Sequence, residues 1–315
     1  MSENDQIVQF LKANPAFSLS MLEKEAGIPS GVLSKVLRGE RKLNTDHIKL
    51  LRPVLYKYGL RHDDSPSKAK VISIVNHKGG VGKTTTAINL GKALTMMGKK
   101  VLLVDMDSQG NLSQGLGFDE PEKQVVDALL KEEPLPIFLV SENYDLSPSD
   151  LELAEADLEL VQNIGGFNRL NKVLRPIKDQ YDFILIDCPP SLNIITSSAM
   201  VAADSCLITL QPEIAAVKGL DKILTRIGNI QEEINEKLRV EGIVFTLVNK
   251  RLVVHQSNME YVRESLPGFK IFDSMIRENV SLTEAQSAQM DIFSYAPDSN
   301  GAKDYYKLAE ELLQN

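Results

Sequence analysis

Between residues 71 and 90 the chain reads V-I-S-I-V-N-H-K-G-G-V-G-K-T-T-T-A-I-N-L. Gly79, Gly80 and Gly82, with Val81 among them, lie between Lys78 and Lys83, and Thr84 and Thr85 follow. Residues of these types at this spacing can hold a phosphate chain. Glycines lack the Cβ atoms that would stop backbone N–H groups converging on an anion. Lys83 supplies a point charge for β- and γ-phosphates, and the Thr84 hydroxyl can ligate Mg²⁺. The pattern departs from G-x-x-x-x-G-K-[ST] at its first position, which holds His77, and it carries the extra Lys78. The result, K-G-G-x-G-K-T-T, is the deviant Walker-A motif. Acidic groups form a second set: Asp105 and Asp107 in V-L-L-V-D-M-D, and Asp187 in F-I-L-I-D-C-P-P. Asp187 closes four apolar residues and reads as a Walker-B carboxylate, beside the metal through its water shell. For Asp105 a structural role at a strand end is preferred.

These groups need strands that end beside one another. Val71 to Val75 is mostly β-branched and predicts a buried strand, followed by the glycine turn and a helix from Thr84 to Met97. Gly98-Lys99-Lys100 closes that helix, and the next strand delivers Asp105 and Asp107. A strand, crossover helix and parallel strand predict an α/β fold with a doubly wound, mostly parallel sheet, which binds ligands at its carboxyl edge. Further strands are expected within Phe183 to Ser191, stopped by the Pro189-Pro190 pair, at Cys206 to Pro212, and at Gly242 to Asn249. Glu213 to Gly219 begins a helix. Glu133 to Leu151, with three prolines, is expected to be irregular with one strand, and Leu151 to Val161 to be an acidic amphipathic helix.

The 315 residues suit one large α/β domain and a small one. The net charge of −8 does not suit a bulk nucleic-acid coat, but the charge is uneven. Residues 1–62 hold 10 Lys and Arg against 6 Asp and Glu, net +4, leaving −12 for the rest. Cys188 and Cys206, at the edges of apolar runs, read as small buried side chains. With no apolar run near ~18 residues and no signal-like leader, a soluble, cytoplasmic protein is expected.

The basic segment predicts a small all-α module over residues 1–62. Ile7, Val8, Phe10 and Leu11 recur at helical spacing. A helix from Ser20 to Ala26, a turn at Gly27-Ile28-Pro29 and a second helix capped by Ser30 and ending at Arg38-Gly39 form a helix-turn-helix. A third helix, Asn44 to Tyr58, carries Ile48, Leu51, Val54 and Leu55, with a kink or break expected at Pro53. Residues 63–69 read as a linker before a nucleotide domain at 70–315. V-L-S-K-V-L-R-G-E-R-K-L resembles the repressor-type helix-turn-helix. That resemblance offers Ser30, Gly31, Ser34 and Lys35 to the major groove, with Arg38, Arg41 and Lys42 near phosphates. The alternative is a module that only packs or dimerises.

K-G-G-V-G-K-T-T, V-L-L-V-D-M-D-S-Q-G-N-L and I-L-I-D-C-P-P-S-L, in that order, resemble the ParA family of DNA-partition ATPases. So do N-V-S-L-T-E-A-Q-S and Y-A-P-D-S-N-G-A-K-D-Y-Y-K-L-A-E-E-L towards the C-terminus. The resemblance covers about residues 69 to 315, and a preceding helix-turn-helix is similar to plasmid-type members. It implies a P-loop ATPase using ATP and Mg²⁺. Gly80, Gly82, Lys83, Thr84 and Thr85 would cradle phosphate, with Thr84 on the metal and Asp187 supporting it. Lys78 would reach the partner's phosphates in an ATP-dependent sandwich homodimer, and Asp107 would orient the attacking water.

Asn249 and residues 276–279 are candidates for the adenine or are simply loop-forming. The family's basic position in N-V-R-L-S-E-A is Ser281 here, while Lys250 and Arg251 keep the other basic position for non-specific DNA binding. Arg277 is either a displaced basic contact or a solvated charge. The resemblance further implies a ParB-like partner that stimulates hydrolysis, association with the nucleoid, and autorepression through the helix-turn-helix. A MinD-like membrane ATPase would need a basic amphipathic C-terminal helix, and this one is acidic. An ATP-switched regulator is the other alternative.

Overall fold

The computed structural model describes residues 3–14, 17–58, 69–131, 133–163 and 165–314, in two compact units, Met1–Ser67 and Lys68–Asn315. Most of the expected linker lies outside the described residues.

The first unit contains α1 (Glu3–Ala13), α2 (Leu19–Ala26), α3 (Val32–Leu37) and α4 (Thr45–Lys57). Ile7, Leu11, Leu22, Leu33, Val36, Leu51 and Leu55 form its core. Two local expectations differ in the structure. Ser30 does not cap the second short helix. That helix starts two residues later, behind Gly31 in a left-handed conformation (φ 82°), which no Ser30-type cap suits. Its free N–H groups are met from α2 instead. The buried Glu23 carboxylate accepts from Gly31 N at 2.9 Å and Leu33 N at 2.7 Å. Also, α4 continues through Pro53 without the break that is one of the two expectations there. The lost hydrogen bond and ring clash cost about 3 kcal/mol, and burial of Leu51, Val54 and Leu55 outweighs that at about 1.5–3 kcal/mol each.

The second unit is a sheet sandwiched by helices. In chain order it runs β1 (Lys70–Val75), α5 (Lys83–Met96), β2 (Val101–Asp105), α6 (Asn111–Gln114), α7 (Val125–Lys131), β3 (Phe138–Ser141) and β4 (Tyr144–Ser147). Next come α8 (Leu153–Gln162), α9 (Arg169–Leu174), β5 (Phe183–Asp187), α10 (Ile194–Ala202), β6 (Ser205–Leu210) and α11 (Ile214–Glu233). The chain closes with β7 (Arg239–Val248), α12 (Val253–Ser265), β8 (Ile271–Arg277), α13 (Val280–Ser287), α14 (Ile292–Tyr295) and α15 (Asn300–Leu313). The strand order is β3-β4-β2-β5-β1-β6-β7-β8, parallel except for β3 against β4.

Segment 133–151 therefore holds an antiparallel hairpin, not one strand. Its prolines lie outside the paired residues, and Glu142-Asn143 makes the turn, with Asn143 left-handed (φ 58°). Strand β8 also has no counterpart among the expected strands. At this sheet edge its residues alternate unevenly between buried and exposed, so no apolar run marks it.

Both sheet faces are covered. One apolar layer gathers Val71, Val104, Ile186 and Ile208 against helices α7 to α12; the other sets Ile72, Ile74, Leu103 and Leu185 against α5 and α13 to α15. A sheet buried on both sides explains why its central strands read as continuous apolar runs. Cys188 and Cys206 are free and buried in the first layer, as expected.

Candidate nucleotide site

Parallel pairing sets the acidic groups side by side. Asp105 on β2 pairs in register with Asp187 on β5, and Asp187 pairs with Ile74 on β1, one residue before that strand ends. The glycine turn leaves β1 at this edge. Gly80 and Gly82 have φ of 70° and 80°, a conformation in which a side chain would be strained, and Gly82 caps α5. The turn is gripped from two sides. The Thr246 hydroxyl on β7 donates to Val81 O at 2.8 Å, and Pro190 lies 3.8 Å from where a Cβ on Gly79 would be. No atom lies within 4 Å of such a position at Gly80, and Gly79 and Gly80 are exposed.

Lys83 is buried and its Nζ donates to Lys78 O at 3.2 Å. Burial lowers its pKa, opposed by the nearby Asp187. The Thr84 hydroxyl donates to Asp187 Oδ2 at 2.7 Å, whereas the buried Asp187 Oδ1 has no protein partner. A buried carboxylate oxygen left unpaired is costly. Beside a threonine hydroxyl it fits a Mg²⁺ ion and its water shell. Among the described residues there is no cluster of three or more His, Cys, Asp or Glu side chains able to hold a metal, so most ligands would come from phosphate and water. Burial raises the pKa of Asp187 well above the usual carboxylate range, and the neighbouring Asp105 adds to this. An ion there would displace a proton.

Asp105 faces inward. It accepts from Asp107 N and Ser113 N, both at 3.0 Å, and from the Ser113 hydroxyl at 2.7 Å. These bonds tie the strand end to α6, the structural use preferred for it, while burial pushes its pKa up to about 7. Asp107 lies beyond the strand, and its Oδ1 accepts from Gln109 N at 3.0 Å.

Lys78 is held elsewhere. Its backbone N donates to Asn76 Oδ1 at 2.9 Å, and its Nζ lies 2.7 Å from Glu213 Oε2 and 3.4 Å from Gln211 Oε1. Glu213 is the residue before α11, so sequence alone could not pair them across 135 positions. The basic pair after β7 is exposed: Arg251 N donates to Asn249 Oδ1, and Gln256 Nε2 donates to Lys250 O. Asn249 also meets the 276–279 stretch, with Nδ2 3.4 Å from Glu278 Oε2. Ser281 N donates to Asn279 Oδ1 at the start of α13. Arg277 is not simply a solvated charge, because it is paired within the fold. Its guanidinium binds the Asp304 carboxylate on α15 at 2.6 and 2.9 Å, a charge-assisted fork.

In the N-terminal unit Ser30, Lys35, Arg38, Arg41 and Lys42 are exposed, with Arg38 paired to Glu40 at 2.8 Å. Ser34 is half-buried, and its hydroxyl donates to Gly31 O at 3.0 Å. Among the described residues no helix is long and apolar enough to cross a membrane.

A family model described as an AAA domain matches residues 69–240. The sporulation initiation inhibitor protein Soj of Bacillus subtilis is 40% identical over 251 residues, covering 78% of this chain and 99% of that protein. The chromosome partitioning protein ParA of Caulobacter vibrioides is 38% identical over 256 residues, 79% of this chain and 96% of its own. Among solved structures, cobyrinic acid a,c-diamide synthase from Mycobacterium smegmatis with bound ADP and magnesium aligns with a TM-score of 0.69 at 30% identity. It covers 78% of this chain and 94% of that one. The chain is an ATPase that uses ATP and Mg²⁺, and it belongs to the ParA family of P-loop ATPases.

Proposed function

We propose that this protein is a partition ATPase whose ATP-bound form is a sandwich homodimer that holds DNA until a ParB-like partner stimulates hydrolysis. The observation that carries this is the separation of the two loop lysines. Lys83 is buried within its own turn, while the Lys78 ammonium points away to Glu213 and is half-exposed. A lysine held outside its own loop suits a phosphate on another subunit.

Within the loop, the N–H groups of residues 79–85 and the Lys83 ammonium bind the phosphates, and Thr84 and Asp187 hold the metal. Mg²⁺, when bound, neutralises charge on the β- and γ-phosphate oxygens. Asp107 accepts a hydrogen bond from the attacking water and aligns it with the γ-phosphorus. Lys78 from the partner stabilises charge that grows on the transferred group, which makes turnover depend on dimerisation. Asn249, beside Glu278, is the candidate for the adenine. Lys250 and Arg251 contact DNA phosphates without sequence preference. Ser281 removes one such contact. Helices α2 and α3 act as a helix-turn-helix, with Ser30, Ser34 and Lys35 towards bases and Arg38, Arg41 and Lys42 towards phosphates, giving operator binding and autorepression. The protein would then work on the nucleoid.

Binding of the full-length protein to a random duplex, over a salt series with ATP, ADP or no nucleotide, tests this. ATP-dependent, salt-sensitive binding that Lys78→Ala abolishes is expected. Nucleotide-independent binding that Lys35→Glu removes would instead support an ATP-switched regulator.

A further inference from the structure

Ordinary phosphate loops begin with glycine, and here the ring of His77 fills a space that a second glycine leaves open. Gly219, buried on α11, has no Cβ; one built there would stand 1.7 Å from His77 Cε1, 2.1 Å from Nε2 and 2.8 Å from Nδ1. No side chain can share that space with the imidazole. The ring therefore lies directly against the α11 backbone, and its buried Nδ1 has no protein partner.

On either side, the backbone is tied down. Asn76 donates to Thr209 O at 2.5 Å and accepts from Lys78 N, while Lys78 Nζ meets Glu213 at the start of the same helix. Burial lowers the His77 pKa, and the positive charges of Lys222, Lys83 and Lys78 add to this, so the ring packs as a neutral group.

We infer that His77 is a positioning residue for ATP binding: seated on Gly219, its ring locks the start of the phosphate loop to α11. The loop's glycines leave its backbone free to wander. The grip from Thr246 and Pro190 acts at Val81 and Gly79, further along. The His77–Gly219 contact and the Asn76 bonds act before Lys78. This inference rests on residues 78–85 being the phosphate loop.

A double-mutant cycle on the full-length protein tests it, with MgATP affinity read by calorimetry and thermal melting without nucleotide beside it. Gly219→Ala expels the ring and is expected to weaken MgATP binding about tenfold, and His77→Gly about threefold. The double variant is expected to bind like His77→Gly alone, because the added methyl group then meets empty space. Alanine also favours helix over glycine, so the double variant should melt about 2–4 °C above His77→Gly. Additive losses, or a Gly219→Ala variant that binds normally, would overturn the inference. Should Gly219→Ala fail to fold, His77→Gly decides alone: weaker binding at an unchanged melting temperature supports the role, and unchanged binding refutes it. Lys83→Ala is the control for the loop itself. If it binds MgATP normally, the loop assignment fails, whatever the cycle shows.

Discussion

Replacing Glu213 with glutamine should release Lys78 and raise basal turnover. The pair is short, at 2.7 Å, but the two side chains are 34% and 45% exposed, so water and salt screen it. Such pairs contribute about 0.2–1 kcal/mol, a factor of roughly 1.4 to 5 between held and released lysine. The proposed sandwich dimer would need both lysines free, so the two factors would multiply to about 2- to 30-fold in dimer formation at concentrations where monomer dominates. Gln211, 3.4 Å away, stays in place and limits the gain. Steady-state phosphate release, measured over a range of protein concentrations at low and high salt, is the assay. The variant should exceed the parent most at low protein and low salt, and the two should converge as salt rises. A drop in turnover with MgATP affinity intact would refute the reasoning, because Glu213 would then be helping the reaction instead of restraining Lys78.

Two further outcomes follow from the geometry. The raised pKa of Asp187 means that the protonated group favours the fold; this contribution is full below the unfolded-state pKa and fades as pH rises through the folded value. Mg²⁺ competes with that proton, so MgATP binding should release protons and tighten as pH rises; calorimetry in two buffers of different ionisation enthalpy checks this, and proton uptake would contradict it. In the N-terminal unit, Glu23→Ala strands the buried N–H group of Leu33 and the part-buried one of Gly31 and should destabilise that unit by about 1–3 kcal/mol. Urea unfolding followed by circular dichroism measures this, and an unchanged midpoint would show that water replaces the carboxylate.

Local chemistry was legible wherever it is local in the chain. The strand before Lys78, the glycine turn and the helix after it involve neighbours within one 20-residue stretch, so residue type alone predicts them. Asp187 was legible for a similar reason, since four buried apolar residues precede it. Errors arose where a distant group supplied what the local sequence lacked. Serine is a common N-cap, which made Ser30 the natural choice, yet a carboxylate from the preceding helix took that role. Arg277 looked free because Asp304 is 27 residues away, on a helix that packs across β8. Strand β8 itself was hidden because an edge strand buried on alternate, uneven positions has no apolar run to reveal it.

The amino-acid sequence by itself determined the phosphate-binding chemistry, the parallel α/β class and the ParA resemblance, because glycine conformation, lysine charge and strand burial are properties of short segments. Tertiary structure alone decided which groups meet. The sheet order set Asp105 beside Asp187, brought Glu213 to Lys78 and laid Gly219 under the ring of His77. Those partners lie 82, 135 and 142 positions apart. No periodicity reaches so far; the pairing of β2 with β5 places the first pair in contact, and the pairing of β1 with β6 brings the chain that follows β6 to the loop that follows β1.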